Sequence, residues 1–263
     1  MIIDALTYIG GKIVGHDGIP LKRRNGFFGV EDLITMMDRY NIKKAIAIPL
    51  FGDASKDYMP SNEYVAKAQE KYPQRIIGFC RLNPLYERKA LEDLEICISE
   101  LKLKGVYLAP RFDGYMPYGW GYETMLEPFY KKIEDLGIPM IIHCSGPCVL
   151  ETPGQIAAVA MKHPSIPIII THAGGPRMSI DTAVVALRNK NVFLETSETH
   201  SSFFIAGILK TIGADKIVFG SATPFIGPEI EKAKLDIGLK LGLISKEEYE
   251  LIMAKNISRI LRI

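Results

Sequence analysis

The chain has 263 residues, 48% hydrophobic and 24% charged, with a formal net charge of +2. That composition supports one sizeable core, and the charge balance is too even to imply a nucleic-acid or anionic-membrane partner. No apolar run approaches the roughly 20 residues that span a bilayer, and the opening Met1-Ile-Ile-Asp4 lacks the regions of a secretion signal, so a cytoplasmic location is expected.

A short apolar strand, a loop and an amphipathic helix recur along the chain. Strands are expected at Ile2–Leu6, Lys44–Ile48, Ile76–Leu82, Gly105–Ala109, Met140–His143, Ile168–His172, Val192–Thr196 and Ile217–Gly220. Helices are expected at Val30–Tyr40, Ser61–Tyr72, Glu87–Leu103, Thr124–Leu136, Gly154–His163, Met178–Lys190, Phe203–Gly213, Pro228–Leu241 and Ser245–Leu261. The last opens on Ser-Lys-Glu-Glu248, a capping box. Eight strands alternating with helices, without a linker or a second composition regime, predict one domain over 1–263 with the α/β architecture of a (β/α)8 TIM barrel. The competing doubly wound sheet lacks its phosphate loop, because no G-x-G-x-x-G or Walker sequence follows a strand. Cys80 and Cys97 fall in a predicted strand and helix, and the C-x-x-x-C of Cys144 and Cys148 has neither redox nor zinc-ribbon spacing. The Lys22-Arg23-Arg24 run reads as a solvated loop.

In a barrel, function is read at the carboxyl ends of the strands. Strands five and six are two copies of one design, Pro139-Met-Ile-Ile-His143 and Pro167-Ile-Ile-Ile-Thr-His172, each ending in a histidine followed by a loop. Two imidazoles at neighbouring strand ends can converge on one point and act as bases or as ligands for a borderline metal. By alternation, Asp4, Leu6 and Tyr8 share a face of strand one. Strand three brings Arg81, and strand four brings Tyr107 and Arg111. Strand seven brings Glu195, Ser197, Glu198 and His200, and strand eight Ala222. The long loops Tyr8–Gly29, Leu50–Pro60 and Pro110–Glu123 follow strands, so they are expected to wall the mouth; the last carries Tyr115, Tyr118, Trp120 and Tyr122.

The motifs Ile2-Ile-Asp4, Gly78-Phe-Cys-Arg-Leu-Asn-Pro84, Gly105-Val-Tyr-Leu-Ala-Pro110, Thr171-His-Ala-Gly-Gly-Pro176 and Phe219-Gly-Ser-Ala-Thr-Pro-Phe225 run from end to end, with the strand-five motif and a closing Asn256-Ile-Ser-Arg-Ile-Leu261. Together they resemble the amidohydrolase-related TIM barrels of the metal-dependent-hydrolase type, the branch holding aminocarboxymuconate-semialdehyde decarboxylase and its hydrolase and lactonase relatives. The resemblance implies hydrolysis or decarboxylation of a small carboxylated, aromatic or lactone compound. It also implies a metal held by an Asp-x-His-x-His strand one, two later histidines and an aspartate after the Gly-Ser of strand eight. This chain keeps His143 and His172 but has Leu6, Tyr8 and Ala222 at the other places, and Tyr107 and Ala109 where the branch often has lysine and histidine.

Two imidazoles fall short of the three protein ligands of a catalytic zinc. No cofactor is therefore expected; the alternative is zinc or manganese on His143 and His172 with Glu195, Glu198, His200 or Tyr8 as replacement ligands. The expected catalytic groups are His143, His172, Tyr8 and Tyr107, and the expected substrate contacts are Arg81, Arg111, Tyr115, Trp120 and Glu195. The competing reading is a non-catalytic barrel that binds a small ligand or a partner at its aromatic mouth. The partner expected in either case is a small molecule, and the resemblance adds a homodimer.

Overall fold

The computed structural model describes residues 1–12, 26–50, 57–146 and 148–263, and of Lys12 and Pro176 the backbone alone. The Lys22–Arg24 run and much of the loops after the first two strands lie outside the described residues. The barrel strands are β1 (Ile3–Ile9), β2 (Lys44–Pro49), β3 in two pieces (Ile76–Gly78 and Cys80–Arg81), β4 (Val106–Leu108), β5 (Met140–Ile142), β6 (Ile168–Ile170), β7 (Val192–Glu195) and β8 (Ile217–Val218). β1 pairs with β2 and β2 with the first piece of β3; the second piece begins a parallel run through β4 to β8. Backbone closes the cylinder. Ala5 N–H donates to Phe219 O and Tyr8 N–H to Thr223 O, both at 2.8 Å, and Thr7 bridges Thr223 in parallel.

Alternation along these strands divides the core into two clusters. Ile46, Ile48, Phe79, Tyr107, Ile141, Ile169, Phe193 and Val218 fill the barrel interior. Their strand neighbours Ala45, Ala47, Val106, Met140, Ile168 and Val192 meet the surrounding helices. Full burial of each large aliphatic side chain contributes about 1.5–3 kcal/mol, and the packed interior leaves a site only at the rim. β1 corrects the expected alternation. Its register shifts between Asp4 and Thr7, and Ile3, Ala5, Leu6 and Tyr8 all join the interior cluster. The bulge changes parity, so Asp4 and Leu6 do not simply share a face.

The helices are α1 (Val30–Arg39), α2 (Met59–Lys71), α3 (Arg88–Ser99), α4 (Glu127–Leu136), α5 (Pro153–Lys162), α6 (Gly175–Arg188), α7 (Ser202–Ile212), α8 (Pro228–Lys240) and a terminal α9 of abutting segments from Lys246–Glu250 to Asn256–Leu261. α2 starts before the expected serine cap because Pro60 stands in its first turn. α5 opens on a Thr152–Gln155 capping box, and α9 has the expected box between Ser245 and Glu248. Among the described residues, no helix is long and apolar enough to cross a membrane.

Candidate active site

The site grows from the ends of β5, β6 and β7. His143 follows β5, and its backbone N–H donates to Leu108 O at 2.8 Å. Its Nδ1 lies 2.8 Å from Glu151 Oε2. The other carboxyl oxygen of Glu151 accepts Ser145 N–H at 3.2 Å and stands 3.4 Å from Arg111 Nη1. Burial pushes the Glu151 carboxyl up to about 7, against the Ser145 N–H and the Arg111 charge, which favour the carboxylate. Burial, helped by Arg111 and Arg81, lowers His143 to about 3, so its imidazole is neutral at pH 7. With Nδ1–H donated to the Glu151 carboxylate, Nε2 is left with a lone pair.

His172 follows β6 in a one-turn helix and has φ +58. Its backbone N–H donates to Glu195 Oε2 at 3.0 Å, and its Nδ1 lies 2.7 Å from Ser197 Oγ. Ser197 Oγ in turn donates to Glu195 Oε2 at 2.8 Å, while Ser197 N–H donates to Oε1 at 2.5 Å. With Glu195 ionised, the chain of donors runs from imidazole to hydroxyl to carboxylate and again leaves Nε2 as the acceptor. Burial raises the Glu195 carboxyl to about 8 despite these donors. At pH 7 a carboxyl raised that far is mostly protonated, and the relay then runs the other way, from Glu195 O–H through Ser197 Oγ to His172 Nδ1, with the imidazole proton on Nε2. Burial also lowers His172 to about 3. The two imidazoles meet edge to face, with centroids 5.2 Å apart, and the Phe112 ring stands edge-on to His143 at 5.1 Å.

The backbone around them is strained. His172, Ala173, Glu198 and Ala222 all have positive φ without being glycine, a conformation that costs of order 1–3 kcal/mol and collects at functional sites. Glu198 Oε1 stands 3.8 Å from His172 Nδ1, and its Oε2 accepts Ser145 Oγ–H at 3.0 Å. Its backbone N–H is held by the buried Glu231. A glycine is required at 220, where a Cβ would lie 2.3 Å from Glu195 Oε1.

The expected residues separate into two groups. His143, His172 and Arg111 come together; Arg111 Nη1 donates to Ser145 O at 2.6 Å and its side chain is partly exposed. Tyr8 and Tyr107 lie deeper, with hydroxyls 3.3 Å apart, and Tyr8 also packs edge-on to Phe225. Three expected substrate contacts stand apart from the imidazole pair. Trp120 is 97% exposed and covers nothing. Tyr115 is buried in the outer core between strands and helices. Arg81 is buried with its Nη2 2.9 Å from Asp113 Oδ1 and its guanidinium over the Tyr58 ring. Glu195 is fully buried behind Ser197 and holds both Ser197 and the His172 backbone N–H.

Glu151 was not among the expected residues. Its one sequence signal is an acid in the loop after His143, just before the Thr152 cap. A groove of about 770 Å³ lies at the opposite end of the barrel, lined by Lys44, Ile76, Lys104 and Leu261. That end of a barrel serves stability more than chemistry, and no imidazole lines it.

The fit of a metal is decided by the donors. His143 and His172 supply two nitrogens, while Leu6 and Ala222 are buried hydrocarbon. Of the replacement ligands, Glu195 holds Ser197, Tyr8 meets Tyr107, and His200 packs on Phe204 at 5.6 Å, while Glu198 stands beside an imidazole on its Nδ1 side, with its other oxygen held by Ser145. Among the described residues, no three His, Cys, Asp or Glu side chains are gathered to hold an ion. The described donors near one another are thus two imidazole nitrogens, one short of the three protein ligands of a catalytic zinc.

A closed parallel (β/α)8 barrel with imidazoles at the ends of its fifth and sixth strands defines the class: an amidohydrolase-superfamily barrel. The amidohydrolase family profile matches residues 53–263, and the chain belongs to that family. The chain is similar to the gamma-resorcylate decarboxylase of Polaromonas sp., 22% identical over 73% of this chain and 76% of the relative. It is also similar to the 2-keto-4-carboxy-3-hexenedioate hydratase of Sphingobium sp., 25% identical over 61% of this chain and 56% of the relative. The 5-carboxyvanillate decarboxylase of Novosphingobium aromaticivorans, a structure with bound manganese, superposes with a TM-score of 0.79 at 15% identity, covering 100% of this chain and 97% of that one.

Proposed function

We propose that this barrel decarboxylates or hydrolyses a small carboxylated compound, a hydroxylated aromatic acid first, by proton transfer through His143 and His172. The observation that carries the reading is the pair of edge-to-face imidazoles, each with Nδ1 committed to a buried acid system and Nε2 left over. The decarboxylase and hydratase relatives, named for carboxylated compounds, support the class of substrate.

Arg111, partly exposed beside Ser145, offers its remaining N–H groups to the substrate carboxylate. A neutral Nε2 removes the proton of a ring hydroxyl, and the electron pair left on oxygen enriches the ring carbon that carries the carboxylate. The imidazolium returns that proton to this carbon, the carbon–carboxylate bond breaks, and carbon dioxide leaves with the imidazole neutral again. With a lactone or amide, the same Nε2 takes its proton from water, which adds to the carbonyl. Manganese is bound in a structural relative, but no step here passes through a metal because the described donors fall one short of the three of a catalytic zinc. The second reading, a barrel that binds its ligand without turnover, is favoured by the burial of Leu6 and Ala222 between the strand ends.

The test is a panel of hydroxybenzoates, lactones and cyclic amides, followed for product and carbon dioxide with and without added manganese or zinc. Turnover lost in both His143→Ala and His172→Ala is expected. Ligand-induced thermal stabilisation without turnover favours the second reading. Purified protein holding about one metal per chain, with turnover lost on its removal, sinks the metal-free roles.

A further inference from the structure

Three carboxyl groups surround the imidazole pair, and they are not equally placed. Glu151 and Glu195 are fully enclosed, whereas the Glu198 side chain is 35% exposed, as much as that of Arg111. Ser145 stands between these two rim groups. Its carbonyl accepts Arg111 Nη1–H at 2.6 Å, and its hydroxyl donates to Glu198 Oε2 at 3.0 Å. A parallel bridge to Gly174, with Gly146 N–H donating to Gly174 O at 3.4 Å, keeps Ser145 beside the loop of His172. A guanidinium and a carboxylate therefore flank one residue on the open rim of the site.

The backbone at Glu198 is held against strain. Its φ is +57, and two side chains of α8 fasten the chain on either side of it. The buried Glu231 accepts Glu198 N–H at 3.1 Å, and Lys234, paired with Glu231, donates to Thr199 O at 2.7 Å. A buried ion pair is a costly fastening, and what it fixes is the direction of the Glu198 side chain. Oε2 of that side chain is taken by Ser145. Oε1 stands 3.8 Å from His172 Nδ1, beyond hydrogen-bond reach, and has no hydrogen-bond partner among the described residues.

We infer that Glu198 is a specificity-determining residue, its Oε1 accepting a hydrogen bond from a second donor substituent, hydroxyl or amino, on an aromatic acid whose carboxylate lies on Arg111. The inference rests on the decarboxylase reading above and narrows its substrate class. That route needs one ring hydroxyl ortho or para to the carboxylate, the group that meets an imidazole Nε2. Glu198 lies on the Nδ1 side of His172, so the substituent that reaches it is a different one. A methoxy group of similar size is turned away, because it brings an oxygen without a proton to an acceptor.

Isothermal titration calorimetry on the full chain tests this without turnover. 2- and 4-hydroxybenzoate are the parent ligands, and each is compared with derivatives bearing a further hydroxyl, amino or methoxy group. In the wild type the best hydroxyl or amino derivative is expected to bind at least about 10-fold tighter than its methoxy counterpart, the size of a hydrogen bond to a charged group. Glu198→Ala should bind the two alike. Glu198→Gln, whose amide N–H takes the place of Oε1, should favour the methoxy derivative instead. Arg111→Ala should weaken parents and derivatives together. Thermal melts confirm that the variants are folded. A wild type that binds the acids without preferring a donor, or a preference for donors that survives in Glu198→Ala or Glu198→Gln, overturns the inference and leaves the decarboxylase reading standing. A wild type that binds none of the acids overturns both.

Discussion

His172 Nδ1 stands 2.7 Å from Ser197 Oγ but 3.9 Å from Glu195 Oε2, so a hydroxyl stands between the imidazole and its acid. Ser197→Ala removes that hydroxyl and leaves a buried nitrogen and a buried carboxyl each short of a partner. Stability should fall by about 1–3 kcal/mol, and kcat in the decarboxylation assay by about 10- to 100-fold, since orientation of the base is lost. Ser197→Thr, which keeps the hydroxyl, should recover most of both. Chemical denaturation and steady-state kinetics on the two variants decide this.

Glu151 serves two donors at once, His143 Nδ1 and Ser145 N–H. Glutamine has a single acceptor oxygen, so Glu151→Gln cannot satisfy both with the same geometry. An amide turned toward His143 moves the imidazole proton to Nε2 and removes the base. The expected loss in kcat is about 100- to 10,000-fold, the range of general acid–base catalysis, with a much smaller change in KM. An unchanged kcat would remove His143 from the mechanism.

Asp4 is buried, with Oδ1 accepting Leu6 N–H at 3.2 Å and Ser221 N–H at 2.9 Å. Its Oδ2 has no hydrogen-bond partner among the described residues. Burial raises its carboxyl from 3.8 to about 7. A folded-state value above the unfolded one means that this residue's contribution is complete below about pH 4 and is lost as pH rises toward 7. The slope is up to about 1.4 kcal/mol per pH unit in that window. Asp4→Asn removes the ionisation, so unfolding free energies measured from pH 4 to 8 should decline less steeply in the variant than in the wild type.

Gly220 faces the carboxyl of Glu195 so closely that a methyl group would sit 2.3 Å from Oε1. Gly220→Ala must push Glu195 away from Ser197 or push β8 outward. Overpacking of this kind typically costs about 1–3 kcal/mol. Thermal unfolding should register the loss, and activity should fall along with that of Ser197→Ala, because both changes disturb the same relay.

The order of the barrel strands was legible because each is a short apolar run between loops, and such runs are buried whatever their exact neighbours. His143 and His172 were legible for the same reason, as polar residues ending two otherwise apolar runs. Glu151 was not, because its contact with His143 depends on how an irregular loop folds back, and no periodicity encodes that. The parity of β1 is not legible, because strict alternation carries no sign of a bulge. Trp120 was expected at the mouth on the strength of its aromatic neighbours, but Tyr115 turns into the outer core while Trp120 extends into solvent. Arg81 carries the charge of a substrate clamp, and its commitment to Asp113, 32 residues away, is visible only in three dimensions.

The hydrogen bonds from Ala5 to Phe219 and from Tyr8 to Thr223 have a consequence for how the molecule is made. During synthesis the first strand emerges long before the strand that completes it, so its outer edge stays open while some 200 residues are added. Until then Ile3, Leu6 and Tyr8 line a trough instead of a sealed interior, and a ribosome stalled before residue 219 would hold a sticky half-cylinder. The rim that carries the imidazoles takes its final shape only with that last join.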